Sequence, residues 1–457
     1  MVINSINPAT GEVLKVFDEM GHAEVDSALA QAQTAFQQWR NTPVSERAAK
    51  LRNAALYLRD HCNELATLVT LEMGKPIVQA EFEVNKCALG CDYYADNAER
   101  FLADEHIPTE AAESFVSYNP LGVILAVMPW NFPYWQAFRP LMPGLMAGNG
   151  MVLKHASNVP QCALAIERVM LEAGFPEGLF RTLLVHSDHV EPIIRDPRVR
   201  LVTLTGSCDA GRHVAAAAGR ALKKTIMELG GSDPFIVLAD ADLESAAKVG
   251  ALARNQNTGQ SCIAAKRFVV IESVADEFER RLVDAVRALK VGDPLDRTTQ
   301  VGPLAREDLL QVLERQVRES VIQGATVALG GTRLDRSGYF FAPTVLTGVT
   351  PAMSVAREET FGPIAPVIRV KDEEEAITVA NDSSLGLGAA IWSRDTVQAK
   401  AMAQNIEAGN VFINTMVASN PCLPFGGVKD SGWGRELSVF GVRELVNIKT
   451  IGVGPAG

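Results

Sequence analysis

The chain has 457 residues, 47% hydrophobic and 21% charged, which are globular proportions and exclude a largely disordered protein. Its formal charge is -11 and it has no Lys/Arg-rich block, which argues against nucleic acid or an anionic membrane as partner and leaves room only for a local cationic pocket. The length exceeds one ordinary core, so roughly two to three domains are expected.

The N-terminal MVINSINPATGEVLKVF has no charged region followed by an apolar one, and no apolar run approaches a membrane span, so the protein is expected to stay in the cytoplasm. Residues 23–40 and 45–62 carry apolar side chains at helical spacing and read as amphipathic helices. The stretch TEAAESFVSYNP at 109–120 is short and β-prone. From Gly122 onward short apolar strands alternate with helices: GVILAVM, a helix from about Tyr134, MVLK, a helix from about Val159, then LVTLTGS and another helix. A second series starts near Gly230-Gly231 with FIVL at 235–238, a helix after Asp240, RFVVIE at 267–272 and a helix over 274–289, and runs to NVFIN at 410–414. Both series predict an α/β protein with parallel sheets covered by helices. The tail LVNIKT at 445–450 belongs, like 109–120, to neither series, and the two could pair at a subunit edge.

Seven cysteines, at 62, 87, 91, 162, 208, 262 and 422, form no CxxC and no zinc-like spacing, so reduced thiols and no structural metal are expected. Most such thiols are small core residues. Cys262 differs, because NTGQSCIAAKRF is a polar turn between a helix and a strand, where backbone N–H donors can lower a thiol's pKa or hold an oxyanion. Glu228, in IMELGGSDP, ends an apolar strand before two glycines; it reads either as a poorly solvated general base or as a salt-bridged strand end. Asn131, in MPWNFPYWQAFR, follows another strand and can donate to developing negative charge or simply make a turn. Trp135 and Arg139 share a helix face; the arginine could bind a carboxylate or lie against an aromatic ring. LTGSCDAG at 204–211, with Gly206 and Ser207, is a strand, turn and helix start able to face a phosphate, though it is not the GxGxxG of a standard dinucleotide fold. Glu359, in REETFGP, by itself reads as a surface acid.

Seven separated motifs occur in order: PWNFP, VLKHAS, TGS, MELGGSDP, NTGQSC, EETFGP and PFGGVKDSGWGRE. Together with INPATGE near residue 6 they resemble the aldehyde dehydrogenase superfamily over nearly the whole chain, and GGSDPFIV, GQSCIAAKRF and LKHASNVPQCALA resemble its bacterial succinate-semialdehyde branch. The resemblance implies a Rossmann-like cofactor domain over 1–108 and 129–229, an α/β catalytic domain over 230–418, and a small β oligomerisation flap from 109–128 and 430–457, assembling a homodimer or homotetramer. It implies that Cys262 attacks the aldehyde, that Asn131 and the Cys262 N–H hold the oxyanion, and that Glu228 activates water to hydrolyse the thioester. It further implies that Lys154 and Glu359 hold the cofactor's ribose hydroxyls, that Phe361 packs beside the nicotinamide, and that Trp130 and Ser207 line its path. Arg139 and Ser419 would bind the distal carboxylate of the aldehyde.

Ser157 stands where many NAD-preferring relatives have a glutamate, so NADP is expected to be preferred, with NAD possible: a carboxylate would repel a 2′-phosphate and a hydroxyl can donate to it. Ala264 rules out a Cys-x-Cys redox pair with Cys262. Two other readings are a dehydrogenase for glutarate semialdehyde or general aliphatic aldehydes, and a non-catalytic structural protein of the same fold.

Overall fold

A computed structural model describes residues 2–454. After an antiparallel hairpin of Val2–Ile6 and Val13–Asp18, four helices follow: His22–Trp39, Val44–Asp60, Cys62–Met73 and Ile77–Leu102. The first buries Val25, Ala28, Leu29, Ala32, Ala35, Phe36 and Trp39, the three-and-four spacing that puts one apolar stripe against the core. The fourth buries Ala80, Val84, Cys87, Cys91 and Tyr94 in the same way, and turns Gln79, Glu83 and Lys86 toward a cavity.

The first α/β series makes a six-stranded sheet in the spatial order Gly432–Trp433, Lys224–Glu228, Val199–Thr205, Val123–Met128, Gly150–His155, Phe180–Thr182. All neighbours are parallel except the Gly432–Trp433 pairing. Val123, Ile124, Leu125 and Ala126 are fully buried, as a central parallel strand with helices on both faces requires. From Val123–Met128 the chain moves outward to Gly150–His155 and Phe180–Thr182, then returns to the opposite side of the first strand with Val199–Thr205. The strand order therefore reverses between the carboxyl ends of Val123–Met128 and Val199–Thr205, and a crevice forms at such a point.

The second series makes a seven-stranded sheet in the order Thr326–Leu329, Thr344–Thr347, Ile364–Val370, Arg267–Ile271, Pro234–Val237, Gly388–Trp392, Asn410–Ile413, parallel except for its first pair.

The segments outside the two series divide differently from the sequence boundaries. Within 109–128, Glu113–Pro120 joins a small antiparallel sheet, whereas Val123–Met128 is central to the six-stranded sheet because its alternate faces are both apolar. Within 430–457, Gly432–Trp433 edges that same large sheet and only Val446–Val453 joins the small one, pairing over eight residues with Glu113–Pro120 of the same chain. Among the described residues no helix is long and apolar enough to cross a membrane.

Candidate functional site

Cys262 reaches the site through an unusual loop. After the helix Leu243–Asn255, Asn257, Thr258 and Gly259 all take left-handed backbone angles, with φ of 54°, 56° and 74°. Thr258 is β-branched and disfavoured there, so the surroundings must hold it: its Oγ1 accepts from the Gly302 N–H at 3.0 Å, and Asn257 Nδ2 donates to the Asn131 and Gln260 carbonyls at 2.6 and 3.0 Å. Gly259 is required, since a Cβ would lie 2.4 Å from the Gly362 carbonyl. The loop ends with the thiol at the junction of two cavities, both of which Cys262 and Gln136 line.

The smaller cavity, about 330 Å³, lies at the strand-order reversal. Its walls include Trp130 and Asn131 after one strand, Gly206 and Ser207 after the other, and Glu359 and Phe361 from the second series. Trp130 and Phe361 meet edge to face with ring centroids 5.7 Å apart. Ser207 caps the helix Cys208–Arg220 by accepting from the Ala210 N–H at 3.2 Å. Asn131 is 4% exposed and donates from Nδ2 to the Gln260 carbonyl at 3.2 Å, and its second amide hydrogen has no acceptor among the described residues. Glu359 is held at this cavity by the Lys266 ammonium and by the Gly231 N–H. Lys266 is fully buried and also donates to the carbonyls of Gly231 at 2.6 Å and Cys262 at 3.1 Å, so one cation fastens the glycine pair, the cysteine loop and Glu359.

Lys154 and Ser157 lie outside this lining, at the carboxyl end of the next strand, Gly150–His155. Among the described residues the Lys154 ammonium makes no ion pair or hydrogen bond, and burial lowers its pKa. Its half-buried ammonium has no counter-charge among the described residues.

The larger cavity, about 530 Å³, runs from Cys262 between the helices Ile77–Leu102 and Pro133–Met146 to the loop at 416–421. Trp135, Arg139 and Ser419 all line it. Ser419 Oγ accepts from Trp135 Nε1 at 2.9 Å and from Lys86 Nζ at 2.8 Å. Arg139 is already engaged: it pairs with Glu436 at 2.6 Å, donates to Thr205 Oγ1 at 3.0 Å, and lies over the Phe425 ring at 5.1 Å.

Glu228 lines neither cavity. It is 2% exposed, neither of its oxygens has a hydrogen-bond partner among the described residues, and Oε1 packs so near Gly426 that a Cβ there would lie 2.8 Å away. Burial holds its pKa well above the ordinary carboxylate range and the neighbouring Glu436 raises it further, against the Arg139 and Arg435 guanidiniums. Burial likewise pushes the Cys262 thiol up to about 12, with Arg139 and Lys266 opposing.

The sequence reading thus finds Trp130, Asn131, Gly206, Ser207, Glu359 and Phe361 around one cavity, Arg139 and Ser419 around the other, and Cys262 on both. It did not find Lys86, Lys266 or Glu436. Glu436 lay inside a quoted motif with nothing local to single it out, and Lys86 shares a helix with ordinary surface residues.

The Cys262 thiol thus opens on both a strand-switch crevice and a second cavity, and comparisons with known proteins give the class of protein. The aldehyde dehydrogenase family pattern matches residues 1–451, and the chain belongs to that family. It is 50% identical over 456 residues, covering 99% of each chain, to a Mycobacterium tuberculosis protein named succinate-semialdehyde dehydrogenase [NADP(+)] 1. It is 51% identical over 460 residues to a Mycobacterium avium succinate-semialdehyde dehydrogenase [NADP(+)], covering 99% of this chain and 97% of that one. Among solved structures, succinic semialdehyde dehydrogenase from Streptococcus pyogenes in complex with NADP+ superposes with a TM-score of 0.97 at 41% identity, covering 99% of this chain and all of that one.

Proposed function

We propose that this chain oxidises succinate semialdehyde to succinate with NADP as the hydride acceptor. The observation that carries the reading is Cys262 at the junction of the two cavities, one thiol reachable by an aldehyde from one side and a cofactor from the other. The names of relatives at about 50% identity support the substrate and the cofactor.

The residues fit a dinucleotide. The crevice at the strand reversal, the Trp130–Phe361 wall and the free helix start after Ser207 suit its nicotinamide and pyrophosphate. The unpartnered Lys154 with Ser157 two residues beyond its strand suits a 2′-phosphate, and Glu359 the ribose hydroxyls. Bound NADP would supply the hydride acceptor and a positive ring near the thiol; NAD would serve less well.

Cys262 gives up its thiol proton to solvent, and the Sγ thiolate forms a bond to the aldehyde carbon as the carbonyl π electrons move to the oxygen. The oxygen that becomes an anion takes hydrogen bonds from the free Asn131 amide hydrogen and the Cys262 N–H. After hydride departs, Glu228 removes a proton from water, the water oxygen attacks the thioester carbon, and the thiolate leaves as the carboxylate product forms. Because Glu228 lines neither cavity, it must turn from Gly426 toward Cys262 for that step. Arg139 and Glu436 then act behind the base, as a pair that adjusts its proton affinity.

Cys262 on both cavities and Asn131 on the smaller one favour a catalyst over a non-catalytic scaffold. Seven unpaired cysteines support a reducing, cytoplasmic setting. The exposed edge of Val446–Val453, with Ile448 57% exposed, supports assembly into a homodimer or homotetramer, which light scattering would measure. The deciding experiment is a steady-state matrix of succinate semialdehyde, glutarate semialdehyde and butanal against NADP and NAD. The largest kcat/KM is expected for succinate semialdehyde with NADP; a larger value for butanal or for glutarate semialdehyde would overturn the substrate, and a larger value with NAD the cofactor.

A further inference from the structure

Two fully buried cations hold the loop that carries Cys262, one on each side of the thiol in sequence. Arg254 precedes it and donates through Nη2 to the Gly259 carbonyl at 2.6 Å and to the Thr360 carbonyl at 3.4 Å. Lys266 follows it and gives one hydrogen to each of three acceptors: the Gly231 carbonyl at 2.6 Å, the Cys262 carbonyl at 3.1 Å and Oε1 of Glu359. Both side chains therefore tie the nucleophile loop to the same short segment, 359–360, whose Glu359 lines the smaller cavity.

The two oxygens of Glu359 have different surroundings. Oε1 accepts from the Lys266 ammonium and from the Gly231 N–H at 3.2 Å. Oε2 has no hydrogen-bond donor among the described residues, and only a glycine fits beside it at 230, since a Cβ there would lie 2.5 Å away. One oxygen is fastened to the nucleophile loop, and the other is left for a hydroxyl that enters the cavity.

We propose that Lys266 is a positioning residue that couples the two cavities: a cofactor ribose bound at Glu359 Oε2 makes the Cys262 thiol more reactive through the Lys266 ammonium. This rests on the reading of the smaller cavity as the dinucleotide site and adds a consequence of its occupation for the nucleophile.

The direction follows from charge. Around the thiol, Arg139 and Lys266 favour the thiolate, and Asp233 and Glu359 oppose it. A ribose hydroxyl that donates to Oε2 draws the Glu359 charge toward the cavity, so the ammonium beside Cys262 is less neutralised and the thiolate, the reactive form, gains. The coupling is reciprocal: whatever factor the ribose adds to thiolate formation, thiolate formation adds to binding of the ribose.

The test is the rate at which iodoacetamide alkylates Cys262 at pH 8, read from the mass of the peptide that contains it, with and without saturating 2′-phospho-ADP-ribose. That fragment keeps the ribose hydroxyls, the pyrophosphate and the 2′-phosphate and lacks the nicotinamide ring, and the larger cavity gives the reagent its own way to the thiol. In the unmodified enzyme the fragment should speed alkylation roughly fivefold or more, the lower end of ordinary coupling between sites. In Lys266→Met the speed-up should vanish while calorimetry still shows the fragment bound; a general loosening of the loop would change the rate equally with and without it. Glu359→Gln should lose the speed-up as well, and it keeps the test open if Lys266→Met does not fold or does not bind. Unchanged or slower alkylation of the unmodified enzyme with the fragment bound, or a speed-up that survives in either variant, overturns the coupling and leaves the cofactor reading in place. A fragment that does not bind the unmodified enzyme overturns the cofactor reading, because it carries every group assigned to Lys154, Ser157, Glu359 and the helix start after Ser207, and the coupling falls with it.

Discussion

Arg139 and Glu436 pair at 2.6 Å with each residue at most 3% exposed, and the Glu228 carboxylate is close enough to feel both. Two buried carboxylates and one guanidinium make a cluster in which the cation decides how readily either acid ionises.

Removing that cation should affect every aldehyde alike. In Arg139→Met, Glu228 loses a neighbour that lowers its pKa, so the acid limb of the kcat–pH profile moves to higher pH. At neutral pH kcat drops by about tenfold for each unit of that movement. Leaving Glu436 buried without its partner should also cost about 3–5 kcal/mol of stability, read by thermal melting. A selective rise in KM for succinate semialdehyde would contradict this role.

Glu228→Gln separates the two halves of the reaction. Attack and hydride loss need the thiol and oxyanion donors, whereas hydrolysis needs a base, so rapid mixing should show a burst approaching one NADPH per Cys262. Steady turnover should then fall by roughly 10²- to 10⁴-fold. Loss of the burst along with turnover would place Glu228 before the thioester.

Ser157→Glu puts a negative charge where a 2′-phosphate is expected. The kcat/KM with NADP should fall roughly 100-fold while that with NAD holds or rises. Equal losses with both cofactors would point to a folding defect.

The thiol offers a pH test. With Cys262 pushed up to about 12 in the free enzyme, the thiolate is scarce at neutral pH and increases as pH rises. The rate of Cys262 alkylation by iodoacetamide should climb about tenfold per unit from pH 7 to 9 with no plateau. A plateau near pH 7 would show a resting thiolate.

The two sheets were legible because fully buried parallel strands appear as short apolar runs, as in GVILAVM and RFVVIE. The small flap was legible only as two misfits, and its extent was misjudged since apolar 123–128 adjoins it without a break in composition. Cavity residues that follow strand ends, such as Trp130, Asn131, Gly206 and Ser207, were visible in motifs. Lys86 was not, because its place depends on the fold: only the folded chain shows that Glu83 is bound to Lys75 and that Ser419 has come across from residue 419. The engagement of Arg139 was hidden for the same reason, its partner being almost 300 positions away in sequence, as the numbers 139 and 436 show.

Glu228 stands opposite Gly432 in the antiparallel strand pair, and Phe425 bridges Glu436 through two backbone hydrogen bonds of 2.8 Å. The base and its partners therefore come together only when nearly the last part of the chain has folded back onto the first sheet. A growing polypeptide that has already made Glu228 and Cys262 still lacks Glu436, so the carboxylate that pairs with Arg139 beside the base joins the site only late in synthesis. A truncation before residue 425 would remove both the strand paired with Glu228 and the carboxylate paired with Arg139.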